Sequence, residues 1–494
     1  LALRLNTTGG CNIGIGAHAL YNATASIKNV AIGRTVMYNT TSGSLNTASG
    51  YGALYYNTTG CENTASGFYA LRGNTTAKYN TGFGACTLYA NTTGERNTGV
   101  GFKALAGTTC GAWNTAVGYT ALASNTTGYF NVGVGYKAGI SNTTGIRNTA
   151  SGFYALLQNT TGNNNTAYGG RALENNTTGI NNTGSGYNAL RYNTIGKCNT
   201  AFGYMALSTN VCGCENTAIG MCSMFSNTCG TMNTAVGKRS LAANTTGFYN
   251  TASGYLSLCK NTSGCNNTGS GYRALKANTT GCFNTAFGAR ALDSNTTACN
   301  NTALGFCSLY SNTTGANNNA FGYLALNKNT CGNHNTGIGY MAMCDTTSGS
   351  YNVSVGNCTL TDQSTGASNT VVGYRGGASM TTGSNNVAVG QSALKSNTTA
   401  GHNIGIGVAA LCTATTGGAN VAIGGVAMEN TTTGEFNNAM GKYALNGVTT
   451  GCRNVGLGYA AGIYTTTASY NTFLGGCAAY SNTTGTYNSA TGFQ

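Results

Sequence analysis

Few side chains in this sequence can do chemistry, and their spacing limits what that chemistry is. The acids number nine: Glu62, Glu95, Glu174, Glu215, Asp293, Asp345, Asp362, Glu429 and Glu435. A glycoside-cleaving site needs two carboxyls facing one another, about 5 Å apart for the retaining reaction. Only Asp345 and Asp362 qualify, because they are 17 residues apart and 17 is the period of the chain. The alternative is a pair of solvated turn residues, and no catalytic residue is assigned. His18, His334 and His402 lie too far apart to share a triad or a metal within one chain. No cofactor is expected. Gly14-Ile15-Gly16 and its relatives belong to the period, since a dinucleotide fingerprint needs a following helix.

Twenty cysteines offer a different chemistry. Cys212-Gly213-Cys214 is a solitary C-x-C and not a metal signature. Cys265, Cys282 and Cys299 share one place in the period, and Cys212 and Cys229 share another. A one-period step of about 4.8 Å lies within reach of a disulfide. Both staples and free thiols filling Ser or Thr positions fit this pattern. Asn-Thr-Thr recurs at Asn57, Asn74, Asn91, Asn125, Asn142 and Asn159, which satisfies the N-glycosylation pattern. These Asn are expected to point outward at a turn. Turn chemistry alone also favours Asn, Thr and Gly there.

The elements that position these residues follow from the repeat. An Asn opens each Asn-Thr-Ala-x-Gly motif, from Asn12, Asn29 and Asn46 to Asn471 and Asn488, at a constant step of 17. There are 29 such anchors without insertion or deletion, and a Gly follows each four residues later. Gly and β-branched residues interrupt any helix within a few residues. A unit with one Leu is no leucine-rich repeat, and the acids are too few for a calcium-binding roll. The chain is therefore expected to be all-β: a parallel β-solenoid (β-helix or β-roll) of about 29 coils, 17 residues per coil, with two or three short strands in each. Coils spaced by about 4.8 Å would make a shaft roughly 140 Å long. Residues 1–494 read as one continuous repeat with no internal domain boundary.

Positions are counted from the anchor Asn as zero. The restricted columns are Asn at 0 (Asn46, Asn63, Asn114), Ala or Gly at 2, Gly at 4 (Gly50, Gly67, Gly118), Leu at 8 (Leu54, Leu71, Leu122) and Thr at 12 (Thr58, Thr75, Thr126). Even parity over a strand places alternate side chains on one side. These columns are expected to face a narrow interior and to form ladders of identical residues. The Gly is expected at a positive φ or at a close approach of walls. Pro would delete a ladder donor, and the chain has none. Positions 1 and 3 form an outward β-branched stripe at Val132 and Val134, Val387 and Val389, and Ile404 and Ile406. It is expected to pack against another copy; the alternative is that it belongs to the coil's own core.

The motif Asn114-Thr115-Ala116-Val117-Gly118-Tyr119 resembles the head repeats of trimeric autotransporter adhesins. The stretch from Asn148 to Gly162 resembles repeats of bacterial surface proteins and phage tail-fibre-like proteins. That resemblance implies an extracellular fibre, often trimeric, that works in attachment at a cell surface or virion. The period of 17 is longer than the usual adhesin head repeat, and stalk heptads and a membrane anchor are missing from the sequence.

Charge supports a structural reading. Only 6% of residues are charged, with a net charge of +14 from Lys and Arg scattered singly. No basic run or stripe marks a nucleic-acid partner, although acidic cell-surface polysaccharide is a possible weak partner. No run of 18 apolar residues is long enough for a spanning helix. Neither terminal coil carries a polar cap and the first residue is Leu1, so the expected object is the shaft of a longer protein or a subunit stacking end to end. Ice binding through Thr ranks, a curli-like amyloid and a carbohydrate-degrading spike are the competing functions.

Overall fold

A computed structural model describes residues 1–493. Two compact units, Leu1–Phe248 and from Tyr249 onward, are built from the same coil. The architecture is an all-β parallel β-solenoid of 17 residues per turn, and no helix occurs among the described residues. The first unit holds β1 (Ile13–Ile15) to β14 (Thr234–Val236), the second β15 (Thr251–Ser253) to β29 (Ser489–Thr491). Within each unit every strand pairs in parallel with the next at a register of one coil, as Thr115 with Val132 and Val387 with Ile404.

Each coil contains one strand, three residues long, instead of the two or three expected. The remainder is turns whose backbone still bonds to the neighbouring coils. Leu54 N–H donates to Ala70 O at 3.0 Å, Thr58 N–H to Thr75 O at 2.9 Å, and Gly67 N–H back to Ser49 O at 2.8 Å. These turns need a left-handed backbone. Positions 6, 8 and 16 are non-Gly residues at positive φ in most coils, as Tyr69 (56°), Leu71 (49°) and Tyr79 (62°). Such conformations cost an L-residue roughly 1–2 kcal/mol each. They persist because hydrogen bonds on both sides of the coil and burial of Leu over-determine them.

The interior is as narrow as the small residues require. Ala48, Ala65 and Ala116 on the strands, and Leu54, Leu71 and Leu122 at position 8, are all buried. Gly50, Gly67 and Gly118 meet both conditions expected of the invariant Gly. Their φ values are 123°, 135° and 137°, and a Cβ would lie 2.4–2.5 Å from the carbonyl oxygen of the Gly one coil on. The anchor Asn column is a fully bonded ladder. Asn63 donates from Nδ2 to Asn46 Oδ1 (3.1 Å) and to Ala77 O (2.8 Å), while its own N–H also reaches Asn46 Oδ1 (3.0 Å).

Two expectations are corrected at the turn. Thr58, Thr75 and Thr126 do not face the interior. They sit at the surface, half-buried or more exposed, each hydroxyl donating to the carbonyl one coil on, as Thr58 Oγ1 to Thr75 O at 3.1 Å. Asn57, Asn74, Asn91, Asn125, Asn142 and Asn159 point inward and are buried. Period-two alternation holds only along extended backbone. The left-handed residues at 6 and 8 shift the phase, so that positions 7, 8, 11 and 14 turn inward. The result is a second Asn ladder: Asn74 Nδ2 donates to Asn57 Oδ1 at 2.8 Å and Asn142 Nδ2 to Asn125 Oδ1 at 2.8 Å. These amides are held inside the coil, away from any sugar-transferring enzyme.

Candidate interaction surface

The strand supplies the outward surface. Its middle residue is buried Ala, Gly or Ser in nearly every coil, so its first and third residues must face solvent. Val132, Val134, Val389 and Ile406 are exposed, whereas Val387 and Ile404 are half-buried. All six lie on the outer face, which removes the alternative of a stripe inside the core.

The structure extends this stripe in the second unit. The strands β21 (Val353–Val355), β22 (Thr370–Val372), β23 (Val387–Val389), β24 (Ile404–Ile406), β25 (Val421–Ile423), β26 (Asn438–Met440), β27 (Val455–Leu457) and β28 (Thr472–Leu474) run in succession. Each ends on an aliphatic residue or Met that faces out. Val372, Val389, Ile406, Met440, Leu457 and Leu474 are each 36–48% exposed. Eight strands at about 4.8 Å give an apolar line roughly 34 Å long. Neither outward strand position carries a charge anywhere along it.

Beside the strand, position 5 carries exposed aromatic rings that stack from coil to coil. Phe102 and Tyr119 are 5.3 Å apart, Tyr119 and Tyr136 are 5.4 Å, and Tyr323 and Tyr340 are 5.3 Å. Cations lie against some of these rings, as the Lys137 ammonium does 5.3 Å from the Tyr136 ring centre, and against rings at other positions of the coil. The Arg72 guanidinium is 4.8 Å from the Tyr69 ring centre and 5.0 Å from that of Tyr56, and it donates to Tyr89 Oη at 2.9 Å. Each such contact contributes roughly 0.5–1 kcal/mol at an exposed site.

The two acids that share a column stay together in the structure, and one of them is engaged by a cation. Asp345 pairs with Lys328 at 2.9 Å, and that bond, the larger effect, together with the carboxylate's charge, raises the lysine's pKa. Asp345 and Asp362 share an open groove with Arg375 and Lys395, about 430 Å³ in volume. Asp293 is buried against Arg273 at 3.0 Å, and Glu174 receives Arg191 at 2.7 Å. His334 stacks on Tyr351 at 4.9 Å. Among the described residues, no three His, Cys, Asp or Glu side chains gather as a metal cluster. No helix among them is long and apolar enough to cross a membrane.

The cysteines divide between the two states left open by the sequence. Cys212 and Cys229 are joined, with Cα atoms 4.9 Å apart, while Cys265, Cys282 and Cys299 are thiols. The inward Asn column was legible from its substitutes. Ala23, Met380, Ala414 and Val448 stand in that column and are all buried, and apolar replacements of an Asn are a mark of burial.

No known protein-family description matches the chain, and no curated protein sequence matches it.

Proposed function

We propose that the chain is the shaft of an extracellular fibre that associates with copies of itself and presents a repetitive surface for attachment. One observation carries this reading: the uncharged apolar line along β21 to β28. Exposed apolar surface of that extent usually marks an interface. A second copy is the partner of matching chemistry, because its line has the same pitch. Two such lines can register coil against coil over their whole length, which a globular partner cannot do. The Cys212–Cys229 bridge supports an oxidising, extracellular setting. The resemblance to adhesin-head and tail-fibre repeats supports the attachment role and a trimeric or higher assembly. Singly spaced Lys and Arg beside exposed rings favour acidic cell-surface polysaccharide as a weak, salt-sensitive target.

Sedimentation of the full chain tests this. Association at micromolar concentration, abolished by Val389→Lys with Ile406→Lys, is the expected result. A wild-type chain that stays monomeric overturns the proposal.

A second reading rests on a different observation. Thr149, Thr166, Thr183, Thr200, Thr217 and Thr234 open six successive strands in register on the outer face. Such a rank of hydroxyl and methyl groups favours ice binding. Thermal hysteresis lost on Thr183→Lys supports it, and absence of hysteresis ends it.

A further inference from the structure

Where position 15 of the coil holds Ser, Asn or Cys, its side chain recurrently accepts a hydrogen bond from the backbone N–H of the residue one coil earlier. Ser44 Oγ receives Ile27 N–H at 3.2 Å, Asn163 Oδ1 receives Ile146 N–H at 2.8 Å, and Ser384 Oγ receives Ala367 N–H at 3.0 Å. The position therefore aims its polar atom along the coil axis toward the preceding coil. Isolated cysteines obey the same rule, as Cys61 Sγ does with Ser44 N–H at 3.4 Å.

In the second unit three consecutive coils place cysteine at this position. Cys282 Sγ accepts from Cys265 N–H at 3.1 Å, and Cys299 Sγ accepts from Cys282 N–H at 3.1 Å. The same aim brings Cys265 Sγ and Cys282 Sγ to 2.8 Å. All three are partly accessible thiols. The coil-to-coil step already carries a disulfide at Cys212–Cys229.

We propose that Cys265, Cys282 and Cys299 form a thiol–disulfide exchange column, in which Cys282 is stapled to one neighbour at a time and a low-molecular-weight disulfide is the oxidant. Closure proceeds in two balanced displacements. The Cys265 thiolate attacks the small disulfide, forming a mixed disulfide and releasing one small thiolate. The Cys282 thiolate then attacks Cys265 Sγ, forming the Cys265–Cys282 bond and releasing the second. The small disulfide accepts the two electrons, and the two protein thiols give up their protons to solvent. Exchange needs no further oxidant. The Cys299 thiolate attacks Cys282 Sγ, the Cys265–Cys282 bond breaks, and Cys265 leaves as the thiolate and takes up a proton. Three thiols in one line hold one bond, so the staple moves by a coil.

Burial, with the hydrogen bond to Cys265, pushes the Cys282 thiol up to about 11. Thiolate is the attacking form, so Cys265 or Cys299 is the entry point and Cys282 the slow resolving thiol. Closure should then quicken about ten-fold for each unit between about pH 7 and 9.

The test uses the reduced full chain, oxidised glutathione as probe, and tryptic mapping without reductant. Cleavage after Lys260, Arg273, Lys276, Arg290 and Lys328 puts Cys265, Cys282 and Cys299 on separate peptides, 261–273, 277–290 and 291–328. The expected result is a cross-link between 261–273 and 277–290 that accumulates with pH. Cys265→Ser should transfer the link to 277–290 with 291–328, and Cys282→Ser should abolish both. Ser occupies this position in other coils, as Ser44 and Ser384, so these variants keep the fold. Glutathione adducts on Cys265 and Cys299 without either link, in a chain whose circular dichroism is unchanged, would overturn the proposal. So would a link that survives Cys282→Ser.

Discussion

The second Asn ladder has gaps, and each gap can be repaired. In the first unit the column runs Asn57, Asn74, Asn91 and then meets Thr108. Thr108 is wholly buried, and neither its Oγ1 nor the Asn91 Oδ1 has a hydrogen-bond partner. Where the column is intact, one amide donates to the Oδ1 of the coil before and to the carbonyl at position 14 of its own coil, as Asn74 does to Asn57 Oδ1 at 2.8 Å and Ala77 O at 3.2 Å. Thr108→Asn should restore both bonds, to Asn91 and to Gly111 O, in a residue of similar volume. It removes two unpaired buried groups, each costing about 1–3 kcal/mol, and adds bonds worth about 0.5–1.5 kcal/mol net. Against this stands the entropy of fixing the longer side chain, about 1 kcal/mol. Taken at the lower end of each term, the expected gain is about 2 kcal/mol. Thr108→Val deletes the stranded hydroxyl but leaves Asn91 unpaired, so it should gain about half as much. Urea midpoints give the stability, and amide exchange around Thr108 localises it. If Thr108→Asn destabilises the chain, or gains no more than Thr108→Val, the inward ladder is the wrong description of this column.

Other substitutions and conditions separate the remaining forces. Gly118→Ala places a Cβ 2.4 Å from the Gly135 carbonyl oxygen at φ 137°, and should cost about 3 kcal/mol or more in urea denaturation. Reducing Cys212–Cys229, which closes a loop with a sequence separation of 17, should lower stability by about 3 kcal/mol if chain entropy dominates; an unchanged midpoint contradicts that. Burial pushes the Cys344 thiol up from 9.0 to about 11. The folded form then holds a proton that the unfolded chain has lost, so stability from this group is complete below about pH 9 and falls as pH rises towards 11. Alkylation of Cys344 at about pH 8 should be slower than that of exposed Cys331.

Much of this was legible in the residues, for physical reasons that stop at the turns. The constant step between anchors fixes the coil, and alternation over Thr47, Ala48 and Ser49 places Ala48 inside and its neighbours outside. The same rule applied to Asn57 and Thr58 reverses them, because Leu54 at φ 51° breaks the extended geometry on which alternation depends. A left-handed Leu leaves no mark in a single coil, since Gly is the residue that advertises that conformation. Gly139 at position 8 of one coil, with φ 59°, is the one trace of it in that column of the first unit. The apolar line of the second unit was partly visible in Val387, Val389, Ile404 and Ile406. Its length emerged only when Met440, Leu457 and Leu474 were seen on the same face.

Imaging the full chain by cryo-electron microscopy reaches the central claim most directly. The account predicts coils of 17 residues, amides of Asn125 and Asn142 inside them, and a second copy lying along the face that carries Val389 and Ile406. Particles in which that face is bare in every copy would contradict the proposed self-association, and coils of another length would contradict the fold.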